Sequence, residues 1–568
     1  MLFAALAAQG QGWPQWGGSP RHDGSTAAVA RKLDVIEAKV VVDPFADAAE
    51  AVSGGSLLAH YPVPLVDGDD LIVLRKSGSF TTLRTRETMA WNVVDLRRVN
   101  GQLVTQWTYA SDWKPVPYGS PSWEPVYHPI VSGDFVFAPA AGGSIDKLRR
   151  SDGVRVTRFN PFGAGVDASV FMAGPPVADG SGNIYYNAIQ LAASLPWSSE
   201  PLGAWLVRIG ADGAMSKATF ASLTPNAPAA LAQCTGTFDN NQLPWPPAPD
   251  AVPPSIRCGA QRPGINVVPA IAPDGTVYTI SRAHLNSRWA YLVAANADLT
   301  PKWATSLRNR FHDGCDVLIP RSGTPGGCRA GATAGVDPAD NQAGSGGVVD
   351  NATSSPAVTP DGHVLYGSYT RYNYSQGHLM MFDAAGAYVT SYPWGWDLTP
   401  SIYAHDGTYS VVLKENHYFS GSYCGDSEFC PADRSVITPD DPEAYFITQL
   451  NASLQPEWKF RNTTTEACER RPDDTLDCAE EQPDGFEWCV NAVAIDGRGT
   501  VFANSEDGNL YAIAQGGLLA GRIFLKVALG AAYTPTSIGP DGRVYTQNDG
   551  VIFVIDQFAK RRAAAPHK

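Results

Sequence analysis

Short runs of alternating apolar and polar residues, each broken by a glycine-containing turn, recur along this chain. The clearest is Pro356-Ala357-Val358-Thr359-Pro360-Asp361-Gly362-His363-Val364-Leu365-Tyr366-Gly367-Ser368, followed by His378-Leu379-Met380-Met381-Phe382-Asp383. It reads as a strand, a tight turn, a second strand and, after a gap, a third. Pro360 pre-sets φ at the first central turn position, and Gly362 supplies the conformation with φ > 0. Alternation on either side of the turn fits half-buried strands.

The same unit begins at Pro64, Pro129, Pro176, Pro269, Pro356 and Pro400, at Asn491 where the others have Pro, and at Thr536. Third strands end in turns that lead to fourth strands, as at Ala294 to Asp298 before Trp303 and Gln449 to Ser453 before Trp458. Four short antiparallel strands repeated radially make a β-propeller blade. The expected fold is therefore all-β, a single eight-bladed propeller, with seven blades if the second unit is degenerate. The last unit stops after Val551 to Ile555 without a fourth strand. A propeller must close its ring or leave an edge exposed. Residues 33–42, rich in Val and Ile, are the expected donor of the missing strand.

Composition supports this picture and narrows the function. The chain has 568 residues, 55 Gly, 44 Pro and only 17% charged residues, a turn-rich β-type balance. A repeat architecture accommodates this length as one domain, because each unit packs mainly on its neighbours. The net charge of −14 argues against nucleic acid and gives no polybasic patch for anionic lipid. Residues 1–10 are apolar and end in small residues, like the end of a secretory signal, although they lack a basic start. Residues 11–556 form the expected propeller and 557–568 a basic tail. No stretch reaches the ~18 apolar residues of a membrane span.

The nine cysteines lie in irregular segments, and sequence neighbours share an insertion. This favours local disulfides in an oxidising, extracellular or periplasmic compartment. The expected pairs are Cys234–Cys258, Cys315–Cys328, Cys424–Cys430 and, among the last three, Cys468–Cys478, leaving Cys489 as a buried free thiol. The insertions 224–263, 306–350, 416–442 and 461–488 fall between blades or between second and third strands. Both classes of connection emerge on one face of a propeller, so one face should carry long, disulfide-stapled loops. Such loops on a rigid scaffold are where binding usually lives.

Trp13-Pro14-Gln15-Trp16-Gly17-Gly18-Ser19-Pro20-Arg21-His22-Asp23-Gly24 resembles the opening segment of proteins with pyrroloquinoline-quinone-type repeats. The recurring Pro-x-Val-x-x-Asp-Gly-x-Val-Tyr pattern, and Glu506 to Ile513, are similar to those repeats. The resemblance covers most of residues 13–556 and points to the quinoprotein alcohol dehydrogenase-like superfamily. It implies an eight-bladed propeller and, for the dehydrogenases, a quinone stacked on Trp beside a calcium ion held by carboxylate and amide oxygens. Many of those enzymes also carry two adjacent, bonded cysteines. This chain has no Cys-Cys pair, nor the Cys-x-x-Cys-His of a c-type haem site.

Residues just before each innermost strand should line the channel mouth: His60, Tyr61, Tyr127, His128, Asn266, Asp350, Asn351, Trp396, Asp397, Glu487, Trp488 and Asn491. Trp488 with Glu487 and Asn491 is the most suggestive trio, a stacking face with two oxygen ligands. The plainer reading, which weighs more, packs Trp488 between blades and leaves Glu487 solvated. Arg371 to Tyr374 and Lys414 to Tyr418, with His417 among them, are placed in second-to-third strand connections, where they can meet an anionic or sugar-like ligand. The nine carboxylates from Glu466 to Glu487 read as a solvated acidic loop before they read as a calcium site. No hydrolase, zincin or Walker motif is present. The sequence thus points to a secreted or periplasmic, monomeric, non-catalytic propeller binding a ligand, protein or polymer on its loop-rich face. The alternative is a quinone-dependent dehydrogenase of alcohols or sugars.

Overall fold

Eight antiparallel sheets, six of four strands and two of five, follow one another along the chain. The computed structural model describes residues 12–558 except 58, 83–86, 118–123, 193–196, 198, 237–251, 312–335, 338–341, 371–375, 418–443, 484, 489 and 531–535. The blades span residues 65–110, 130–159, 177–219, 270–306, 357–392, 401–461, 494–524 and 537–556, the last completed by Val35–Val41. The second unit is a full blade, so the count is eight. First strands of neighbouring blades touch around most of the ring, which makes them the innermost.

The ring closes through the strand Val35–Val41, which pairs antiparallel with Val551–Asp556, Val35 opposite Asp556 and Val41 opposite Val551. Without it the final blade would present an unpaired edge. Across the same seam Ser537 Oγ donates to the Pro64 carbonyl at 2.7 Å.

The turn chemistry explains the inner hairpins. In blade 5 the Gly362 N–H bonds the Thr359 carbonyl at 3.0 Å, and Gly362 sits at φ +89°. In blades 3 and 7 the sequence reads Asp179-Gly180 and Asp496-Gly497, but the left-handed residues are Gly182 and Gly499. There the aspartate opens the turn, and its carboxylate accepts the backbone N–H groups of Ser181 and Asn183, or of Arg498 and Thr500.

Apolar layers between adjacent blades hold the ring together. A recurring device is a tryptophan on a fourth strand laid over the outer turn of the next blade. Trp107, Trp303 and Trp458 do this against Gly153, Gly386 and Gly517, where an added Cβ would fall 2.4, 2.6 and 3.3 Å from the indole atoms. Trp303 Nε1 also donates to the Ala384 carbonyl at 3.0 Å.

Two of the expected disulfides, Cys234–Cys258 and Cys468–Cys478, are formed. Cys315, Cys328, Cys424, Cys430 and Cys489 lie outside the described residues. The segment expected as an acidic loop is instead an exposed two-stranded ribbon, Glu466–Arg470 against Leu476–Glu480, with Cys468 directly opposite Cys478. No helix among the described residues is long and apolar enough to cross a membrane.

Candidate functional site

Each blade's first strand starts on one face and turns back on the other. Second-to-third strand turns and blade-to-blade connections share the first face, so the faces differ in kind. On the turn face, residues 13–31 run round the channel and reach every blade. Val66 N donates to the Trp13 carbonyl at 3.0 Å, and Val131 N to Pro14 at 2.8 Å. The Gln15 amide brackets Ala178, accepting from its N–H at 2.8 Å and donating to its carbonyl at 3.2 Å. Ile271, Val358, Ile402 and Ile495 donate to the carbonyls of Pro20, Arg21, Asp23 and Gly24 at 2.7, 2.9, 2.6 and 2.9 Å. Arg31 N reaches Gly542 of blade 8 at 2.7 Å.

Trp16 fills the centre and is fully buried. Its Nε1 donates to Thr399 Oγ1 beside blade 6 at 3.1 Å, and its ring meets His128 beside blade 2 edge-on at 5.6 Å. Blades 2 and 6 oppose each other in a ring of eight, so the indole lies across the channel axis. His22 and His128 flank it, both fully buried. Desolvation lowers the pKa of His22 to about 4 and of His128 to about 3, so both rings are neutral. Their Nδ1 atoms bond the Pro356 and Pro129 carbonyls at 2.7 and 2.5 Å.

On the opposite face, above Trp16, side chains from four blades converge. Thr353 joins two of them: its N–H donates to Asp397 Oδ1 at 2.8 Å, and its Oγ1 accepts from Asn491 Nδ2. Asp397 adopts φ +55° and is almost wholly buried. Its Oδ2 lies 4.0 Å from Lys414 Nζ. His60 is held by the Glu124 carbonyl at 2.9 Å, close enough to Asp397 and Lys414 to feel both charges. Its pKa is lowered by burial, opposed by Asp397, so the ring is neutral.

Two ion clusters flank this set. Lys76 Nζ sits between Asp43 at 2.5 Å and Glu124 at 2.8 Å, while Tyr61 donates to Asp43 at 2.7 Å and Trp91 Nε1 to Glu124 at 2.9 Å. Burial disfavours the ammonium, but Asp43 and Glu124 outweigh it and the Lys76 pKa is raised. On the far side Arg262 grips Asp350 through two bonds at 2.8 and 2.6 Å, with Arg282 at 3.3 Å. The paired guanidinium groups overcome burial and hold Asp350 well below the usual carboxylate range.

Several expected mouth residues point elsewhere. Trp488 is fully buried in the layer between blades 6 and 7, edge-on to Tyr511 at 5.1 Å. Its trio is thus dispersed: half-buried Glu487 accepts from Asn416 Nδ2 at 3.2 Å, and only Asn491 faces the mouth set. Tyr127 packs against Trp113 in the core of blades 1 and 2. Trp396 is half-buried against Tyr369 at 5.2 Å. Lys414 to His417 belong to the second strand of blade 6, Thr408–His417, and not to a connection. The His417 side chain and all of Arg371 lie outside the described residues. Thr353, Lys76, Asp43, Glu124, Arg262 and Arg282 were not singled out in the sequence. A lysine inside an apolar strand, as in Leu71 to Lys76 or Val411 to Lys414, was the readable signal.

No known protein family matches the chain, and no curated protein does. Solved structures do. A europium-containing methanol dehydrogenase superposes with a TM-score of 0.52 at 10% identity, covering 94% of this chain and 89% of that one. The quinohemoprotein alcohol dehydrogenase of Comamonas testosteroni gives 0.52 at 10% identity, covering 99% and 83%. At this identity the likeness to these two enzymes is one of fold alone.

The residues fit a quinone and its metal only in part. Asp397 and Asn491 bring carboxylate and amide oxygens together, and Asn491 Oδ1 is buried with no hydrogen-bond partner. Trp488 and Trp16, however, are both fully buried and offer no open ring face above that set. Lys414 already faces the second Asp397 oxygen.

Proposed function

We propose that the chain is a non-catalytic binding propeller of an extracellular or periplasmic compartment, taking its ligand or partner on the loop-rich face. The observation that carries this reading is the sealed turn face: residues 13–31 bond to all eight blades and Trp16 fills the channel. Access is thereby directed to the mouth formed by His60, Thr353, Asp397, Lys414 and Asn491. The two disulfides support the oxidising compartment. The mouth balances charge internally and keeps His60 neutral, which suits polar, hydroxyl-bearing groups presented by a sugar, a polymer or a protein loop.

The test is reconstitution with pyrroloquinoline quinone and calcium, followed by dye reduction with a panel of alcohols and aldoses. No substrate-dependent reduction is expected. A parallel thermal-shift screen of sugars and polymers should give hits that vanish in Lys414→Met and Asp397→Asn. Stoichiometric quinone binding with substrate-dependent dye reduction overturns the proposal in favour of a dehydrogenase.

A further inference from the structure

We infer that the folded chain joins Lys76 to Asp43 through a side-chain amide, an internal cross-link that it forms by itself, with Glu124 carrying the proton. Lys76 Nζ lies 2.5 Å from Asp43 Oδ2 and 2.8 Å from Glu124 Oε1. A carboxyl carbon stands roughly 1.2 Å behind its oxygen, so Nζ is at most about 3.7 Å from Asp43 Cγ. Reacting atoms held at roughly 3–3.5 Å in good alignment gain effective molarities of about 10⁵–10⁸ M. A small slide of the amine over the carboxyl plane therefore reaches attack distance.

Burial sets this trio apart. Side-chain exposure is 2% for Lys76, 2% for Asp43 and 8% for Glu124. Aromatic groups wall it: the Tyr61 ring centre is 5.2 Å from Nζ, and Trp91 Nε1 donates to Glu124 at 2.9 Å. Condensation releases water, so a site that excludes water favours the amide and protects it from hydrolysis. Other lysine–carboxylate pairs among the described residues lack one of these parts. Lys459, Lys526 and Lys302 are 35%, 45% and 33% exposed, and Lys414 stands 4.0 Å from Asp397. The arginines around Asp350 keep their protons and are not nucleophiles.

The step balances without a co-reactant. Asp43 and Glu124 hold Lys76 as an ammonium at rest. Passing one proton from Nζ to Asp43 Oδ2 leaves a neutral amine beside a neutral carboxylic acid, and this is the activating step. The amine then attacks Asp43 Cγ, and Glu124 takes a second proton from Nζ. The negative charge that develops on Oδ1 meets the Phe45 N–H, 3.0 Å away, while Tyr61 donates to Oδ2 at 2.7 Å. Glu124 returns its proton to Oδ2, the Cγ–Oδ2 bond breaks, and that oxygen leaves as water. The product is a secondary amide whose one N–H faces Glu124.

The position gives the bond a purpose. Asp43 follows the closing strand Val35–Val41 by two residues, and Lys76 lies on the second strand of blade 1, Asp70–Gly78. Asp43 N donates to the Gly550 carbonyl of blade 8 at 3.0 Å, and Lys76 N to the Val42 carbonyl at 2.7 Å. The amide fastens the segment that completes blade 8 to blade 1, across the seam where the ring closes. It constrains the chain as a disulfide does, but no thiol can reduce it. The inference does not rest on the binding reading.

The experiment is intact-mass measurement of the purified full chain, denatured and with its disulfides reduced, followed by peptide mapping. The chain should be lighter by one water molecule. Trypsin should leave Lys76 uncut and release a branched peptide that joins it to Asp43. Lys76→Arg, which keeps a cation between the two carboxylates, and Asp43→Ala should show the full mass and no branched peptide. Glu124→Gln should slow the joining by about a hundredfold or more. A full-mass wild-type chain after prolonged incubation in the folded state overturns the proposal, and that result needs no variant to fold. So does a missing water that maps to an aspartate–glycine step such as Asp361-Gly362, where backbone cyclisation loses the same mass.

Discussion

The two faces of this propeller are built by different means. The turn face is closed by main-chain hydrogen bonds from one continuous segment, with Trp16 as its central side chain. The loop-rich face is built from side-chain networks that join distant parts of the chain, such as Lys76 with Asp43 and Glu124, or Arg262 and Arg282 with Asp350. A backbone seal tolerates variation in most of its side chains. A network of buried charges does not, because removing one partner strands the others without water. The face proposed to bind is therefore also the face where single substitutions should be felt most.

The sharpest test of this contrast pairs Lys76→Met with Trp16→Ala. Lys76→Met leaves Asp43 and Glu124 buried without a cation and should cost about 3–5 kcal/mol. Adding Asp43→Asn and Glu124→Gln should recover much of it. Trp16→Ala opens the channel centre and should cost a similar ~3–5 kcal/mol, but with increased amide exchange confined to residues 13–31. Urea denaturation and hydrogen exchange distinguish the two. Equal loss of protection on both faces in both variants would break the comparison.

A smaller effect should appear with pH. His22 has a native pKa of about 4 against an ordinary 6.5. The unfolded chain therefore binds the proton first, and the stabilisation present above 6.5 is lost as pH falls towards 4. The full loss is about 3 kcal/mol. Asp95, raised by burial to about 7, and Glu50 oppose it over the same window. The informative quantity is the difference between wild type and His22→Asn, whose amide can still donate to the Pro356 carbonyl and whose type tolerates the left-handed φ of +62°. Urea midpoints from pH 7.5 to 4.5 should converge as pH falls. Parallel curves would show that His22 does not titrate with unfolding.

The smallest effect belongs to the ribbon of residues 466–480. Cys468→Ser with Cys478→Ser should remove about 3 kcal/mol of constraint from the ribbon alone, leaving the cooperative melting of the ring unchanged. Limited proteolysis should cut there first. A lowered melting temperature for the whole chain would mean that the ribbon is part of the ring's stability.

What the sequence by itself determined was local. The turn residues around Pro360-Asp361-Gly362, the alternation beside them and the truncated last unit specify blades and the need for a closing strand, because strand period and turn conformation depend on near neighbours. Cys234–Cys258 and Cys468–Cys478 were legible for the same reason. The direction of each side chain at the mouth was not. Trp488 and Asn491 stand three residues apart, yet one is locked between blades by Tyr511 and the other meets Thr353, 138 residues away. Residues 13–24 could be matched to an opening segment, but nothing local in them says that they touch blades 1 to 7 in turn, with Arg31 reaching blade 8. Those facts depend on where the ring closes, since closure alone brings residue 13 beneath blade 1 and residue 31 against blade 8. Tertiary structure decided them, because burial of a charge or a ring is a property of the neighbours that the closed ring assembles.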